Sequence, residues 1–218
     1  MIKVKNVSKS FGCNNKVNVL KDISFSIKEG DFVAIKGTSG SGKTTLLNCI
    51  SGIDTIDGGE ILFDDKNIFN YSKEQRKIFR RTNIGMVFQG FDLLPILNVR
   101  ENIILPIKLN HSKVDESYFD EIIKILGIES KLNNRINELS GGQQQRVAIA
   151  RALITKPKLI CADEPTGNLD RTNTIEVMEL FKRINKEMNT TILMITHDDK
   201  VAEYANDIII IDDGRILR

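Results

Sequence analysis

The stretch Gly37-Thr38-Ser39-Gly40-Ser41-Gly42-Lys43-Thr44-Thr45 sets glycines, a cation and two hydroxyls at the spacing that phosphate binding needs. Gly37, Gly40 and Gly42 permit backbone angles that turn successive N–H groups inward, beside Ser39, and those dipoles stabilise anionic oxygens. Lys43 is placed to reach the β- and γ-phosphates of a nucleotide, Thr44 to ligate Mg²⁺ and Thr45 to touch the α-phosphate. The pattern is a complete Walker A sequence. Far along the chain, Asp163 and Glu164 follow the apolar run Leu159-Ile160-Cys161-Ala162. A carboxylate delivered there by a strand suits Mg²⁺, and its neighbour suits the polarisation of an attacking water. Between them lies Leu139-Ser140-Gly141-Gly142-Gln143, ahead of the helical run Val147-Ala148-Ile149-Ala150-Arg151. Ser140 is a natural N-cap, and the glycines open the helix N-terminus to an anion; the same pattern also describes a capped helix that binds nothing.

The elements that must position these residues follow an α/β alternation. Strands are expected at Ile2–Val7, Ser24–Ile27 and Asp31–Lys36, the last running straight into the glycine-rich turn. A helix is expected from Gly42 to Ile50. Gly59–Phe63 reads as a strand ended by Asp64-Asp65. Ser72-Lys73-Glu74-Gln75 has capping-box spacing and opens a helix through Arg80. Ile84–Phe88 is a further strand. Residues 89–152 are helical in pattern and carry Pro95 and Pro106, which predicts a helical subdomain inserted into the sheet domain. Strands resume at Lys158–Ala162, Thr191–Ile195 and Asp207–Ile211.

The chain has 218 residues, enough for one large α/β domain. Hydrophobic residues make up 41% and charged residues 28%, with no apolar run near the roughly 18–20 residues that span a bilayer. The first residues lack a signal-peptide core, so a cytoplasmic protein is expected, reaching the membrane only through a partner. A net charge of +2 without a long basic run disfavours nucleic acid. Cys13, Cys49 and Cys161 are scattered and histidines number two, which argues against zinc and for free, reduced thiols.

Taken together, these motifs resemble the ATP-binding subunit of an ABC transporter, with Leu139–Gln143 matching the family's signature sequence. The resemblance covers essentially the whole chain as a single domain. It implies a P-loop NTPase core with a mainly parallel sheet and an antiparallel β subdomain (1–88 and 153–218), plus an inserted α-helical subdomain (89–152). It implies ATP and Mg²⁺ as cofactors and a homodimer on ATP binding. Each Walker A site would be completed by Ser140, Gly141, Gly142 and Gln143 of the other copy. Phe11 stands where the family stacks an aromatic on adenine; tyrosine is commoner there, and a core phenylalanine is the alternative. Gln89, after Met86-Val87-Phe88, matches the Q-loop, which senses Mg²⁺ and the γ-phosphate. Asp170 in Gly167-Asn168-Leu169-Asp170 matches the D-loop and His197 the switch histidine. The implied catalytic set is Glu164, His197, Gln89 and Lys43, and the implied metal ligands are Thr44, Gln89 and Asp163. His111 has no such context.

Glu164-Pro165-Thr166-Gly167-Asn168-Leu169-Asp170 and Phe88-Gln89-Gly90-Phe91-Asp92-Leu93-Leu94-Pro95 resemble the subgroup of macrolide-export, lipoprotein-release, cell-division and bacitracin-type antimicrobial-peptide systems. That implies an integral-membrane permease as partner, docked near Phe91–Val99, where Phe91, Leu93, Leu94 and Ile96 are either exposed anchors or internal packing. With Arg218 just after the last expected strand, the C-terminal regulatory domain of some importer ATPases is not expected, which favours export-type or mechanotransmitting systems. Export or mechanotransmission of antimicrobial peptides or macrolide-type drugs is the favoured expectation. Lipoprotein release, cell division, a non-transport ABC ATPase and a P-loop kinase or GTPase are the alternatives.

Overall fold

The computed structural model describes residues 1–12 and 15–217, so the expectation for Cys13 lies outside the described residues. Strands β1 (Ile2–Phe11) and β2 (Val17–Ile27) pair antiparallel and lead into β3 (Phe32–Lys36) and α1 (Lys43–Ile50). Next come β4 (Gly58–Phe63), β5 (Lys66–Asn67), α2 (Lys73–Asn83) and β6 (Ile84–Phe88). Three helices follow, α3 (Val99–Leu109), α4 (Glu116–Leu126) and α5 (Gly141–Leu153). The chain then runs through β7 (Leu159–Asp163), α6 (Arg171–Met188), β8 (Thr191–Thr196), α7 (Asp199–Ala202), β9 (Asp207–Asp212) and β10 (Arg215–Leu217).

Two sheets result. One is antiparallel, in the order β2-β1-β4-β5; the other is in the order β10-β9-β3-β8-β7-β6, parallel except for β10. The α/β class with a mainly parallel sheet and an antiparallel sheet is therefore as the sequence led one to expect. Strands β3, β7 and β8 read as near-continuous apolar runs because both faces of the sheet are covered. On one face Phe32, Ala34, Ile160 and Met194 pack with residues of α3, α4, α5 and α6. On the other, Val33, Ile35, Cys161 and Leu193 pack with α1 and with the inner face of the antiparallel sheet. The helical insertion thus shares its core with the sheet that carries it.

Most boundaries fall within a residue of the expectation, and the larger departures are in β1, β2 and α2. Strands β1 and β2 extend well beyond Val7 and begin well before Ser24, because bulges break the alternation that marks a strand. Register shifts fall between Val4 and Ser10, and Asn6 and Asp22 take left-handed backbone angles of 49° and 61°. Helix α2 continues to Asn83. Strand β10 was not expected, although Asp213-Gly214 is a strong two-residue hairpin signal; both residues adopt positive φ, 41° and 74°.

Cys49 and Cys161 are free and buried. Burial, helped by nearby Asp54, pushes the Cys49 thiol up to about 12. Burial raises Cys161 as well, so both stay protonated and packed.

Candidate active site

Four adjacent parallel strands deliver the chemistry to one edge. The register pairs Lys36 with Thr196, Asp163 with Ile195, and Phe88 with Asp163. The phosphate loop, His197, Glu164 and Gln89 therefore leave the carboxyl ends of β3, β8, β7 and β6 side by side. Open α/β sheets place ligands at that edge.

The phosphate loop closes on itself through its lysine. Lys43 is buried, and its Nζ donates to the carbonyls of Gly37 at 2.9 Å and Thr38 at 2.7 Å. Gly42, at φ 101°, is the N-cap of α1, and no side chain caps that end. Every other α-helix among the described residues has a side-chain acceptor at its N-cap. The first N–H groups of α1 are thus left for an anion. Ser39, Gly40 and Thr45 complete the loop and the first turn.

Thr44 Oγ1 donates to Asp163 Oδ1 at 3.3 Å, so the expected metal pair is assembled. Burial raises the Asp163 carboxyl above its usual range, and Glu164 adds to the effect, while Thr44 and Lys43 oppose it. A cation at this point would relieve the cost of a buried carboxylate. Next along, His197 Nδ1 lies 2.8 Å from Glu164 Oε1; an ionised carboxylate only accepts, so the pairing calls for the tautomer with the proton on Nδ1. Glu164 holds a left-handed backbone angle, φ 46°, while its N–H donates to the Ile195 carbonyl at 3.0 Å. The strand pairing thus ends in a turn that aims the carboxylate at His197.

Gln89 Nε2 donates to Asn168 Oδ1 at 3.1 Å, and Asn168 Nδ2 returns a bond to the Gln89 carbonyl at 3.0 Å. Asn168 was not singled out in the sequence, yet it joins Gln89 to the Gly167–Asp170 loop. Asp170 caps α6 by accepting from Asn173 N at 2.9 Å. Phe11 ends β1 opposite Val17 and is 45% exposed, so it is not a core phenylalanine.

Ser140 caps α5 in a capping box: its N–H donates to Gln143 Oε1 at 3.0 Å and its Oγ accepts from Gln143 N at 3.4 Å. Gly141 lies against Leu169 of the loop beyond Glu164, and Gly142 against Asn173 in the first turn of α6. Among the described residues no hydrogen bond joins residues 139–143 to residues 37–45. The glycine-bearing, Ser140-capped end of α5 is therefore formed without any bond to the phosphate loop of its own chain. A side chain at Gly142 would place its Cβ 2.1 Å from Asn173 Oδ1. Asn173 Nδ2 donates to Asp170 Oδ2 at 2.6 Å, so Gly142→Ala must break that bond to make room. Alanine favours the helix. The expected outcome is an unchanged melting temperature, unchanged ADP affinity and a turnover lowered about ten-fold, since a 1.4 kcal/mol misplacement suffices. Thermal melts beside steady-state ATPase rates check it.

Near the other end of α5, Arg151 holds the far side of the Gln89 loop. Its Nη1 and Nη2 donate to the carbonyls of Asp92 at 2.5 Å and Phe91 at 2.9 Å, fixing two residues at positive φ. Burial lowers the Arg151 pKa, with Asp92 opposing. No sequence pattern marked it. The two readings left open for these four apolar residues divide between them. Leu94 and Ile96 are exposed, whereas Phe91 is half-buried and Leu93 packs against the core. The left-handed turn at Phe91-Asp92 rotates those side chains inward.

The model of the ABC transporter family matches residues 20–167. The chain belongs to the ABC transporter family, as an ATPase cassette. It is 48% identical to the ABC transporter ATP-binding protein YxdL of Bacillus subtilis over 100% of this chain and 85% of that protein. It is 42% identical to the macrolide export ATP-binding/permease protein MacB of Syntrophobacter fumaroxidans, covering 99% of this chain but only 31% of that one. The lipoprotein-releasing system ATP-binding protein LolD of Leptospira interrogans is 42% identical over 99% of this chain and 90% of its own length. Among solved structures, the dimeric post-hydrolysis state of the cassette MJ0796 bound to ADP and Pi superposes with a TM-score of 0.89. Its identity is 40%, over 100% of this chain and 97% of that one. Among the described residues of this ABC cassette no helix is long and apolar enough to cross a membrane.

Proposed function

We propose that two copies of this chain close head-to-tail around two molecules of ATP with Mg²⁺ and that their hydrolysis drives an integral-membrane permease for export. The observation that carries the dimer is the signature end of α5, built to meet an anion yet not bonded to its own phosphate loop. Two-fold symmetry makes both sites equivalent when each copy supplies Ser140, Gly141, Gly142 and Gln143 to the other. The dimeric form of MJ0796 supports this reading.

Within each site, Lys43 and the α1 N-terminus bind the β- and γ-phosphates. Thr44 and Asp163 are the proposed Mg²⁺ ligands, with Gln89 approaching from its loop. Among the described residues no three His, Cys, Asp or Glu side chains gather there, so phosphate and water oxygens would complete the shell, as Mg²⁺ prefers. Bound Mg²⁺ would neutralise charge on the transferring phosphoryl group. Glu164 accepts the proton of the attacking water. His197, held by Glu164, faces the γ-phosphate, and Asp170 lies at the dimer seam.

The permease partner rests on MacB relatives, whose name joins an ATP-binding part and a permease in one protein. Their name also favours macrolide-type drugs as cargo, with antimicrobial peptides the other export reading that the loop motifs suggest; the LolD relative supports lipoprotein release as the second reading. A peripheral position on the inner face of the cell membrane follows from such a partner, with Leu94 and Ile96 as contact residues. Purification of the tagged chain from detergent-solubilised native membranes tests this. A stoichiometric integral-membrane protein is expected; recovery with ribosomes or nucleic acid in the soluble fraction would overturn the transport reading.

A further inference from the structure

Lys9 is a lysine in an unusual place. It is 6% exposed, at the end of β1, two residues before Phe11. A buried ammonium is costly unless its donors are satisfied. Asp54 Oδ1 lies 3.2 Å from Nζ, Thr55 Oγ1 accepts at 3.2 Å, and Asp57 Oδ1 stands further off at 3.9 Å. The ammonium also sits over the Phe11 ring, 5.1 Å from its centroid, within cation–π range.

These contacts tie Phe11 to the phosphate loop by two routes. Asp54 lies just beyond α1, and its N–H donates to the Asn48 carbonyl of that helix at 3.0 Å. Asp57 is stitched to β1 by the Ser10 N–H, 2.7 Å from Oδ2, and by its own N–H to the Ser8 carbonyl at 2.9 Å. On the other side Phe11 pairs with Val17, and the carbonyl of Val19, two residues along β2, packs against Gly42 of the phosphate loop. Helix α1 therefore begins at the phosphates and ends at the anchor of the ring.

We propose that Lys9 is a positioning residue for nucleotide binding: it holds one face of the Phe11 ring so that the other face stacks on the base. The inference rests on the reading of Phe11 as the base-stacking residue. Beyond fixing the ring, a cation behind it draws π density away from the exposed face, which favours stacking with electron-rich adenine over a pyrimidine.

ADP and CDP affinities of the full chain, measured by calorimetry, test the proposal without turnover or ATP-driven association. Phe11→Ala is expected to weaken ADP about ten-fold, the size of one lost base stack. Lys9→Met is expected to weaken ADP about five-fold, with a smaller loss for CDP and therefore a reduced preference for the purine. Lys9→Arg is expected to restore both. In the Phe11→Ala background, Lys9→Met should cost nothing more, because the ring it acts through is gone. An equal loss for ADP and CDP, the same loss with and without Phe11, or no loss would overturn the role of Lys9. No effect of Phe11→Ala would instead overturn the base-stacking reading beneath it. Should Lys9→Met not fold, Lys9→Gln keeps a donor to Thr55, lacks the charge and is read the same way.

Discussion

Glu164→Gln is expected to lower ATP turnover about 10³-fold while leaving ATP bound, the size of effect that loss of a general base produces. Glutamine keeps the shape of the side chain and still offers His197 an acceptor oxygen where Nδ1 now lies 2.8 Å from Oε1. It cannot take the proton of the attacking water. The backbone at this position is held by the bond from its N–H to the Ile195 carbonyl and by the end of β7, neither of which senses the substitution. Fold and nucleotide affinity should therefore survive, and the loss should sit in kcat rather than KM. Rapid-quench single-turnover kinetics read it directly. Undiminished turnover would remove Glu164 as the base and shift attention to His197.

Lys43→Ala is expected to reduce ATP affinity about a hundred-fold, a different failure from that of Glu164. The ammonium donates to the Gly37 and Thr38 carbonyls, so it holds the loop in addition to its proposed reach toward the phosphates. Charge-assisted hydrogen bonds contribute about 1.5–3 kcal/mol each, and removal of the lysine forfeits those to phosphate and to the loop together. Calorimetry should show the weakened binding, and ADP should no longer raise the melting temperature at concentrations that protect the native chain. Full ADP protection in this variant would mean that the α1 N-terminus alone carries the phosphates.

The chemistry-bearing loops were legible in the sequence because each follows a buried strand, and buried parallel strands announce themselves as apolar runs. Leu159–Asp163 delivers Asp163 and Glu164 on that basis, and Asp31–Lys36 delivers the phosphate loop, whereas His197 and Gln89 were picked out by the family resemblance rather than by the strands before them. What escaped notice depends on contacts between segments distant in the chain. Asn168 reads as an ordinary turn residue until the fold brings Gln89 against it. Arg151 reads as the polar face of a helix until the Phe91-Asp92 turn offers it two carbonyls. The same turn hides Leu93, which hydropathy alone left as a candidate anchor. The bulged strands β1 and β2 were shortened for a local reason: left-handed residues such as Asn6 and Asp22 interrupt the period-2 pattern without ending the pairing.

The proposed ATP site is one that a single chain cannot complete. Light scattering of the Glu164→Gln chain, with ATP and Mg²⁺ and then with ADP and Mg²⁺, tests this most directly. Twice the monomer mass with ATP and the monomer mass with ADP is the expected result, with the Gly142→Ala, Glu164→Gln double variant shifted toward monomer under ATP. A monomer that holds ATP at every protein concentration, in a native chain whose specific ATPase rate is independent of concentration, would contradict the composite site.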